Sequence, residues 1–226
     1  MKATYRRLLG GVLLAVTGAL ALAGCQSISV GGETLNDGEP INEQVSKVQL
    51  DVPAGTVKIR VEDNAPLSLR REVRFHDQRP GKTHRVEGST LVLAGCGDEC
   101  SVNYDVVLPK PLEVTGKASA GDVELTRVGA VDVRASAGRV AALDVTGPVK
   151  VDAAAGDVNV RLARPDNVTV RASAGNVEVT VPKARYNTKL DASAGKTYND
   201  TVLDPAAPTT IDLKSSAGDL SVRTAA

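Results

Sequence analysis

Residues 170–181 read VRASAGNVEVTV, and close variants of this stretch recur along the chain. They include VRASAGRVAAL at 133–143, VDAAAGDVNV at 151–160 and LDASAGKTYND at 190–200. Aligning the glycine of each copy gives seven positions: Gly55, Gly121, Gly138, Gly156, Gly175, Gly195 and Gly218. From Gly121 onward, successive glycines are 17, 18, 19, 20 and 23 residues apart. Self-similarity at so short a period predicts a repeat architecture.

Apolar and small side chains alternate with polar ones on both sides of each glycine. This period of two predicts strands with one buried face, and the dominance of valine suits them. Two strands and two corners in about 18 residues make one coil of a solenoid. A thin aliphatic core also explains why the chain has only 4 Tyr, 1 Phe and no Trp. We therefore predict an all-β fold with a parallel β-solenoid over residues 113–226, and we favour it over an antiparallel sandwich.

Charged residues four positions before the glycine support this register. From the second solenoid copy onward the column contains Arg134, Asp152, Arg171, Asp191 and Lys214. Its sign alternates along the chain, so stacked coils should place Arg171 between Asp152 and Asp191. Each exposed pair contributes only about 0.2–1 kcal/mol, but a slipped coil would align like charges. The column therefore predicts a charge ladder that fixes the register.

The repeat is interrupted before residue 113. The stretches PLSLRREVRF, HRVEGSTLVLAG and CSVNYDVVLP read as strands joined by turns. We predict an N-terminal strand and β-meander cap over residues 44–112, with Val48–Arg60 as an adjoining first coil. At the other end the repeat continues to the last residues, which predicts an open parallel edge. Residues 199–210 would either shield that edge or border it as a docking surface.

Cys96 and Cys100 occur in the short stretch CGDEC. In an exported protein such a pair most simply forms a disulfide. A C-x₃-C metal or redox site is the alternative. The only histidines, His76 and His84, do not lie at a convincing ligand spacing.

The N-terminus has the pattern of an export signal. A basic start precedes an uncharged stretch over residues 8–23, which is short for a membrane span. The following Leu22-Ala23-Gly24-Cys25 resembles the lipobox of bacterial lipoproteins. That resemblance implies a signal peptide over 1–24, lipid including palmitate on Cys25, and a flexible tether over 25–43. The protein would then be anchored to the extracytoplasmic face of the bacterial cell membrane. An ordinary signal peptide is the alternative.

Composition and motif spacing argue against several function classes. A formal net charge of zero argues against nucleic-acid binding. The repeat carboxylates lie beside cations in the predicted ladders, where they are poor general acids. Asp122, Asp157 and Asp219 follow their glycines and suggest a calcium-binding β-roll only weakly, because other coils lack the aspartate. We therefore expect no catalytic residues, no metal and no cofactor.

The lipobox, the meander ending in NYDVVLP and the repeated SAGDVEL unit resemble a family of bacterial β-strand-repeat lipoproteins described as putative adhesins. The resemblance implies the fold and a location at the cell surface. The anchor, the tether, the charge ladder and the lack of a catalytic cluster in the sequence favour a non-catalytic surface module that binds cell-wall glycan or a surface protein. One alternative is a structural envelope protein that self-associates through its open C-terminal edge. A carbohydrate-active β-helix enzyme is the least favoured reading.

Overall fold

The computed structural model describes residues 32–76 and 78–225. The predicted signal peptide and Cys25 lie outside these residues. Every regular element of the described chain is a β-strand. In chain order the strands are β1 (Glu33–Pro40), β2 (Lys47–Ala54), β3 (Val57–Val61), β4 (Ser68–Phe75), β5 (His84–Glu87), β6 (Thr90–Ala94), β7 (Ser101–Leu108), β8 (Glu113–Ala120), β9 (Val123–Thr126), β10 (Val131–Ala137), β11 (Val140–Val145), β12 (Val149–Ala155), β13 (Val158–Leu162), β14 (Val168–Ala174), β15 (Val177–Val181), β16 (Arg185–Ala194), β17 (Thr197–Asn199), β18 (Val202–Leu203), β19 (Thr210–Ala217) and β20 (Leu220–Thr224).

The strands form two sheets of ten. The first sheet has the order β1-β4-β7-β3-β9-β11-β13-β15-β20-β17, and the second has the order β18-β16-β19-β14-β12-β10-β8-β2-β6-β5. A coil consists of one strand of the second sheet followed by one strand of the first. Adjacent coils pair in parallel, so that Val149 of β12 lies between Val131 and Val168. The predicted parallel β-solenoid is therefore confirmed.

The inward positions of the coils form a narrow aliphatic core. Valines such as Val151, Val160 and Val170 are fully buried between the sheets. The aromatic side chains of the core occur only near the two ends of the described stack, with Phe75 and Tyr104 at one end and Tyr186 at the other. The middle coils are filled by valine, leucine, isoleucine and alanine, which suit a sheet-to-sheet gap of about 10 Å.

Each repeat turns from the second sheet to the first at its Ala-Gly corner. Gly156 has φ 123°, a left-handed conformation that side chains rarely adopt. A Cβ built on Gly156 would overlap the backbone carbonyl of Gly138 in the neighbouring coil. The corner therefore requires glycine twice over, for its backbone conformation and for the close stacking of coils.

Chain order and stacking order differ at both ends of the solenoid. β19 and β20 lie between the β14–β15 coil and the β16–β17 coil, although they come last in the chain. At the other end, the β2–β3 coil lies between β8–β9 and a further parallel coil formed by β6 and β7. The parallel stack thus extends into the region predicted as a cap, and β1, β4 and β5 close it by antiparallel pairing.

The expected open edge at the end of the chain was wrong. Leu220 and Val222 of β20 are buried between β15 and β17. The end coil is β16–β17, and its Thr188 and Thr197 occupy positions where the other solenoid coils have mostly valine or another aliphatic residue. Thr188 Oγ1 lies 3.3 Å from Thr201 Oγ1, which donates to Asn199 Oδ1 at 2.8 Å. Polar side chains therefore terminate the core here, as end repeats require.

The flexible tether predicted for residues 25–43 also needs correction. Glu33–Pro40 forms β1, which pairs with all of β4 in an antiparallel ladder. Leu35 packs against the core opposite Val73, and Asp37 bonds a buried arginine of β4. These contacts order a segment whose polar composition had suggested a linker.

Candidate binding site

An open groove of about 960 Å³ crosses the first sheet near its β1 end. Strands β1, β4, β7, β3 and β9 lie side by side there, and their polar outward residues line it. The lining includes Asn36, Lys58, Arg70, Asn103, Asp105 and Glu124. Large exposed aromatic rings, which commonly stack on sugars, do not occur among these lining residues. A ligand would therefore be held mainly by hydrogen bonds and charge.

Most charged groups of the groove are already paired. Lys58 Nζ lies 3.2 Å from Glu124 Oε2, and Asp105 pairs with Arg60. The pKa of Arg60 is raised above its ordinary value, first by its hydrogen bond to Glu62 and further by Asp105. Lys58 and Arg60 are therefore already engaged by carboxylates of the protein, and Arg60 is shared between two of them.

The remaining carboxylates of the groove also have partners. Glu72 pairs with Arg74 at 2.7 Å, and Asp122 accepts the backbone N–H of Arg139 at 2.8 Å. Arg70, by contrast, is exposed and forms no ion pair with any described residue. Arg70 is therefore the one cation of the groove that no described carboxylate pairs with, while Asp122 is a lining carboxylate without a cationic partner among the described residues.

A buried polar network supports the groove from behind. Arg71 Nε and Nη2 donate to the two oxygens of Asp37 at 2.6 and 2.8 Å. Arg71 Nη1 donates to Gly81 O at 2.8 Å and to Thr83 Oγ1 at 2.9 Å. The Arg71 side chain is only 6% exposed, so this fork fixes β1, β4 and the 81–83 segment together.

Tyr104 extends the same network into the core. Its hydroxyl lies 2.6 Å from the carbonyl oxygens of Thr83 and Ala94. Burial raises the pKa of Tyr104 to about 12. The phenol therefore keeps its proton near neutral pH and donates it to a backbone carbonyl.

Asp37 and Glu39 of β1 have lowered pKa values. The hydrogen bond from Arg71 lowers the pKa of Asp37, and hydrogen bonds from Lys82 and then His84 lower that of Glu39. Lowered carboxyl pKa values stabilise the fold above the ordinary values near 3.8 and 4.5. This contribution is lost progressively as the pH falls from those ordinary values through the lowered ones, so acid should weaken the cap over that range.

His84 is the one histidine with a buried side chain among the described residues. Its Nε2 lies 2.8 Å from Glu39 Oε1, while its buried Nδ1 has no hydrogen-bond partner in the described chain. No described hydroxyl or thiol therefore hydrogen-bonds this histidine as a nucleophile would. The arrangement is that of a structural contact in the cap.

Cys96 and Cys100 form the predicted disulfide, with their Cα atoms 5.7 Å apart. The bridge closes the irregular corner between β6 and β7, where the solenoid repeats have Ala-Gly. A pocket of about 250 Å³ lies beside it and includes His76, Asp98 and Glu99. Within residues 32–76 and 78–225, no cluster of ligating side chains suits a metal ion. The disulfide is a better account of this pair than the metal alternative.

The charge ladder is formed in part, but its order differs from the prediction. Arg134 pairs with Asp152 at 3.6 Å, and Asp191 pairs with Lys214 at 2.8 Å. Arg171 lies between Asp152 and Lys214, not between Asp152 and Asp191, because the last coil is inserted there. Arg171 instead bonds Asp212 at 2.7 Å across the strand pair, and this bond raises its pKa.

The aspartates after the corner glycines have a structural use. Asp157 Oδ1 accepts the N–H of Asn176 at 2.8 Å, and Asn176 Oδ1 accepts that of Asp219 at 3.0 Å. Asp219 Oδ1 then accepts the N–H of Lys196 at 2.7 Å. These side chains join corners of successive coils in stacking order, which leaves little support for the calcium alternative.

The groove and the network behind it were not predicted from the sequence, which pointed to residues 199–210 as a docking border. Arg70, Arg71 and Asp37 lie instead in β4 and β1. One signal was available, since the alternation of SLRREVRF places Arg71 on the buried face of its strand. An arginine at such a position requires a partner, which pointed to a polar network.

These features define a parallel β-solenoid with a closed, groove-bearing end and no catalytic cluster in the described residues. The sequence profile of the Toastrack DUF4097 family matches residues 101–223. The chain belongs to this family. No curated protein matches its sequence significantly.

Several solved bacterial structures are similar to the chain. One, described as a putative cell adhesion protein from Clostridium sporogenes, is 12% identical with a TM-score of 0.49, covering 85% of this chain and 100% of that one. A putative adhesin from Parabacteroides distasonis is 13% identical with a TM-score of 0.41, covering 84% of this chain and 97% of that one. A putative adhesin from Bacteroides fragilis is 12% identical with a TM-score of 0.35 and the same coverage.

No helix of the described residues is long and apolar enough to cross a membrane.

Proposed function

We propose that this protein is a non-catalytic binding module, anchored by lipid on Cys25 to the extracytoplasmic face of a bacterial cell membrane, and that its groove binds an anionic cell-wall glycan. The observation that carries the proposal is Arg70, the one cation of the groove lining that lacks an ion-pair partner among the described residues. The other two lining cations, Lys58 and Arg71, are paired with carboxylates of the protein. An anionic group placed beside Arg70 would complete the pairing.

The surroundings of Arg70 suit an extended polar ligand. In the sheet Arg70 lies between Gly38 of β1 and Asp105 of β7, and the stem of the Arg70 side chain packs over Gly38, which has no side chain of its own. Asn36 and Ser68 add hydrogen-bonding side chains along the same outer face. The Arg71–Asp37 fork holds the strands underneath, so little order has to be gained on binding.

The anchor rests on the resemblance of Leu22-Ala23-Gly24-Cys25 to a lipobox. Replacing Cys25 by serine removes the acceptor for lipid. We expect Cys25→Ser to move the exported protein from the membrane fraction to the soluble fraction. A variant that stayed with the membrane would contradict the lipid anchor, and the detergent-extracted wild-type protein would then serve for binding measurements.

Binding is tested by co-sedimentation with purified cell wall. Arg70→Glu places a negative charge in the groove, and we expect at least about a tenfold loss of wall affinity. Arg164→Glu is the matched control, because Arg164 is another exposed arginine without an ion pair in the described chain, remote from the groove. Equal losses in both variants would indicate a non-specific charge effect. Binding to protein-stripped wall that does not depend on Arg70 would contradict the groove as the site.

A further inference from the structure

The far end of the solenoid carries an unusual surface. In the described part of the chain, the large apolar side chains that remain well exposed are Tyr198, Val202 and Leu203, at 50%, 63% and 62%. All three belong to β17 and β18, which are the outermost strands of the two sheets at this end. The opposite end has the groove and the buried polar network instead. An apolar rim around one sheet edge is a surface suited to another protein chain.

The backbone of β16 is open along this edge. β18 covers only Arg185 and Tyr186, whose carbonyl oxygen accepts the N–H of Asp204 at 3.0 Å. The N–H of Asn187 points the other way, to Thr209 O at 2.9 Å. Because residues of a parallel strand alternate in direction, Thr188, Leu190 and Ala192 present their N–H and C=O groups to the open side.

The side chains of β16 alternate in the same register. Lys189 and Asp191 are exposed on the outer face of the second sheet, while Leu190 is partly buried against the end of the core. Lys189 and Asp191 flank Leu190 with opposite charges. The open stretch runs from Asn187 to the corner at Ala194, so Leu190 lies near its centre.

We infer that β16 pairs with β16 of a second copy of this chain, antiparallel, about a twofold axis at Leu190. In this register Lys189 of each copy lies opposite Asp191 of the other, which makes two ion pairs. Thr188, Leu190 and Ala192 exchange main-chain hydrogen bonds with Ala192, Leu190 and Thr188 of the partner copy. The two Leu190 side chains meet over the exposed end of the core, and the contact is self-complementary, as a twofold interface must be.

Neighbouring registers are disfavoured by charge. A shift of the axis to residue 189 sets Lys189 of one copy opposite Lys189 of the other, and a shift to residue 191 sets the two Asp191 carboxylates opposite each other. The Leu190-centred register also brings Ala194 and Gly195 of one copy towards β18 of the other, so Val202 and Leu203 lie at the rim of the contact. The pairing joins the second sheets of the two copies end to end and leaves one groove at each end of a longer rod, where two grooves can bind one polymer together.

Charge reversal and charge exchange test the register. The protein carrying Cys25→Ser is followed by sedimentation velocity over a range of concentrations. We expect the mass to double with concentration and Lys189→Asp to raise the dimer dissociation constant about 30-fold. The exchange Lys189→Asp with Asp191→Lys should restore most of the affinity when it is combined with Lys214→Asp, which keeps opposite charges at the in-sheet pair of residues 191 and 214. Lys150→Asp is the matched control, because it makes the same charge change on the outer face of the same sheet but in the middle of the rod. Lys150 pairs there with Asp132 of the neighbouring strand at 3.3 Å.

Three outcomes would overturn the inference. They are a protein that stays monomeric at every concentration, a dimer that Lys189→Asp leaves unchanged, and a dimer that Lys150→Asp weakens equally. A melting curve for each variant separates lost association from lost folding. Wall binding through Arg70 is measured separately, and a monomeric variant that still binds wall would show that failure here leaves the proposed function standing.

A cysteine at the axis gives a second measurement in the full, membrane-attached chain. Hydrogen-bonded residues opposite each other in an antiparallel pair have Cα atoms about 5.5 Å apart, within the range of a disulfide. We expect Leu190→Cys to give a reducible dimer on mild oxidation. Lys189→Cys alone should give none, because position 189 faces position 191. Cross-linking of Lys189→Cys with no cross-linking of Leu190→Cys would contradict the register.

Discussion

Replacing Gly156 by alanine is expected to destabilise the protein by roughly 3 kcal/mol or more. The new Cβ would overlap the carbonyl of Gly138, and φ 123° is strained for any side chain. Neither coil can easily move away, because the strands of each coil are hydrogen-bonded to a neighbouring coil on both sides. Urea unfolding followed by circular dichroism measures the loss as a fall in the transition midpoint.

Gly88→Ala separates the two causes. Gly88 also has a positive φ, 60°, but no heavy atom lies within 4 Å of a Cβ built there. This variant should lose only about 1 kcal/mol, the cost of the backbone conformation alone. Equal losses at the two sites would mean that close stacking of the corners contributes nothing.

The second large effect is expected at Arg71. Arg71→Met should cost about 3 kcal/mol, because it leaves Thr83, Gly81 O and the Asp37 carboxylate without their buried donor. The loss should be concentrated in β1, which depends on this fork. Urea unfolding gives the size of the loss, and proteolysis in the 32–46 segment gives its location.

Arg74→Met is the matched control for Arg71. It lies on the same strand but on the outer face, with a side chain that is 66% exposed and paired with Glu72. Exposed ion pairs contribute about 0–1 kcal/mol, so the midpoint should change little. If Arg71→Met were as mild as Arg74→Met, the buried network would not hold the cap.

The repeat itself could be predicted from the sequence because each coil repeats one physical pattern. Val131, Val149 and Val168 align in the structure as they do in the sequence columns. The Arg134–Asp152 pair follows from the same alignment. Small residues at the corners and the scarcity of aromatic residues both pointed to a thin stacked core.

The stacking order could not be predicted from the same columns. Parallel coils are nearly interchangeable, since each presents valines inward and hydrogen-bonding groups to both neighbours. The spacing of 23 residues before Gly218 leaves room for the chain to return past the end coil. Thr188 and Thr197 at core positions were the local signal that this coil is the outermost one, because the inward face of an end coil contacts water that can solvate a hydroxyl.

The candidate site lay beyond the repeat pattern for a related reason. β1 has a polar sequence, and it forms a strand because it pairs with β4 and because Arg71 donates a hydrogen bond to its Asp37. The groove is then made by five strands that are far apart in sequence. Arg70 stands out because it lacks an ion-pair partner among the described residues. The sequence does not show which charges pair in the fold, so this feature could not be predicted from it.

The two ends of the solenoid therefore differ in chemistry. One end has a closed network of buried polar groups and a groove with one free cation among the described residues. The other has the open edge of β16, where Lys189 and Asp191 have opposite charges, and an apolar rim formed by Tyr198, Val202 and Leu203. Binding of wall glycan at the first end and of a second copy at the other would make a single rod bivalent.

Amide hydrogen exchange of the Cys25→Ser protein tests the order of the coils most directly. The open β16 edge exists only if the β16–β17 coil is the outermost one. The account predicts that Leu220–Thr224, although last in the chain, exchanges slowly, since β15 and β17 lie on either side. Thr197–Asn199 of β17, at the edge, should exchange faster. Fast exchange at residues 220–224 with slow exchange at 197–199 would place the last strand at the edge and contradict the account.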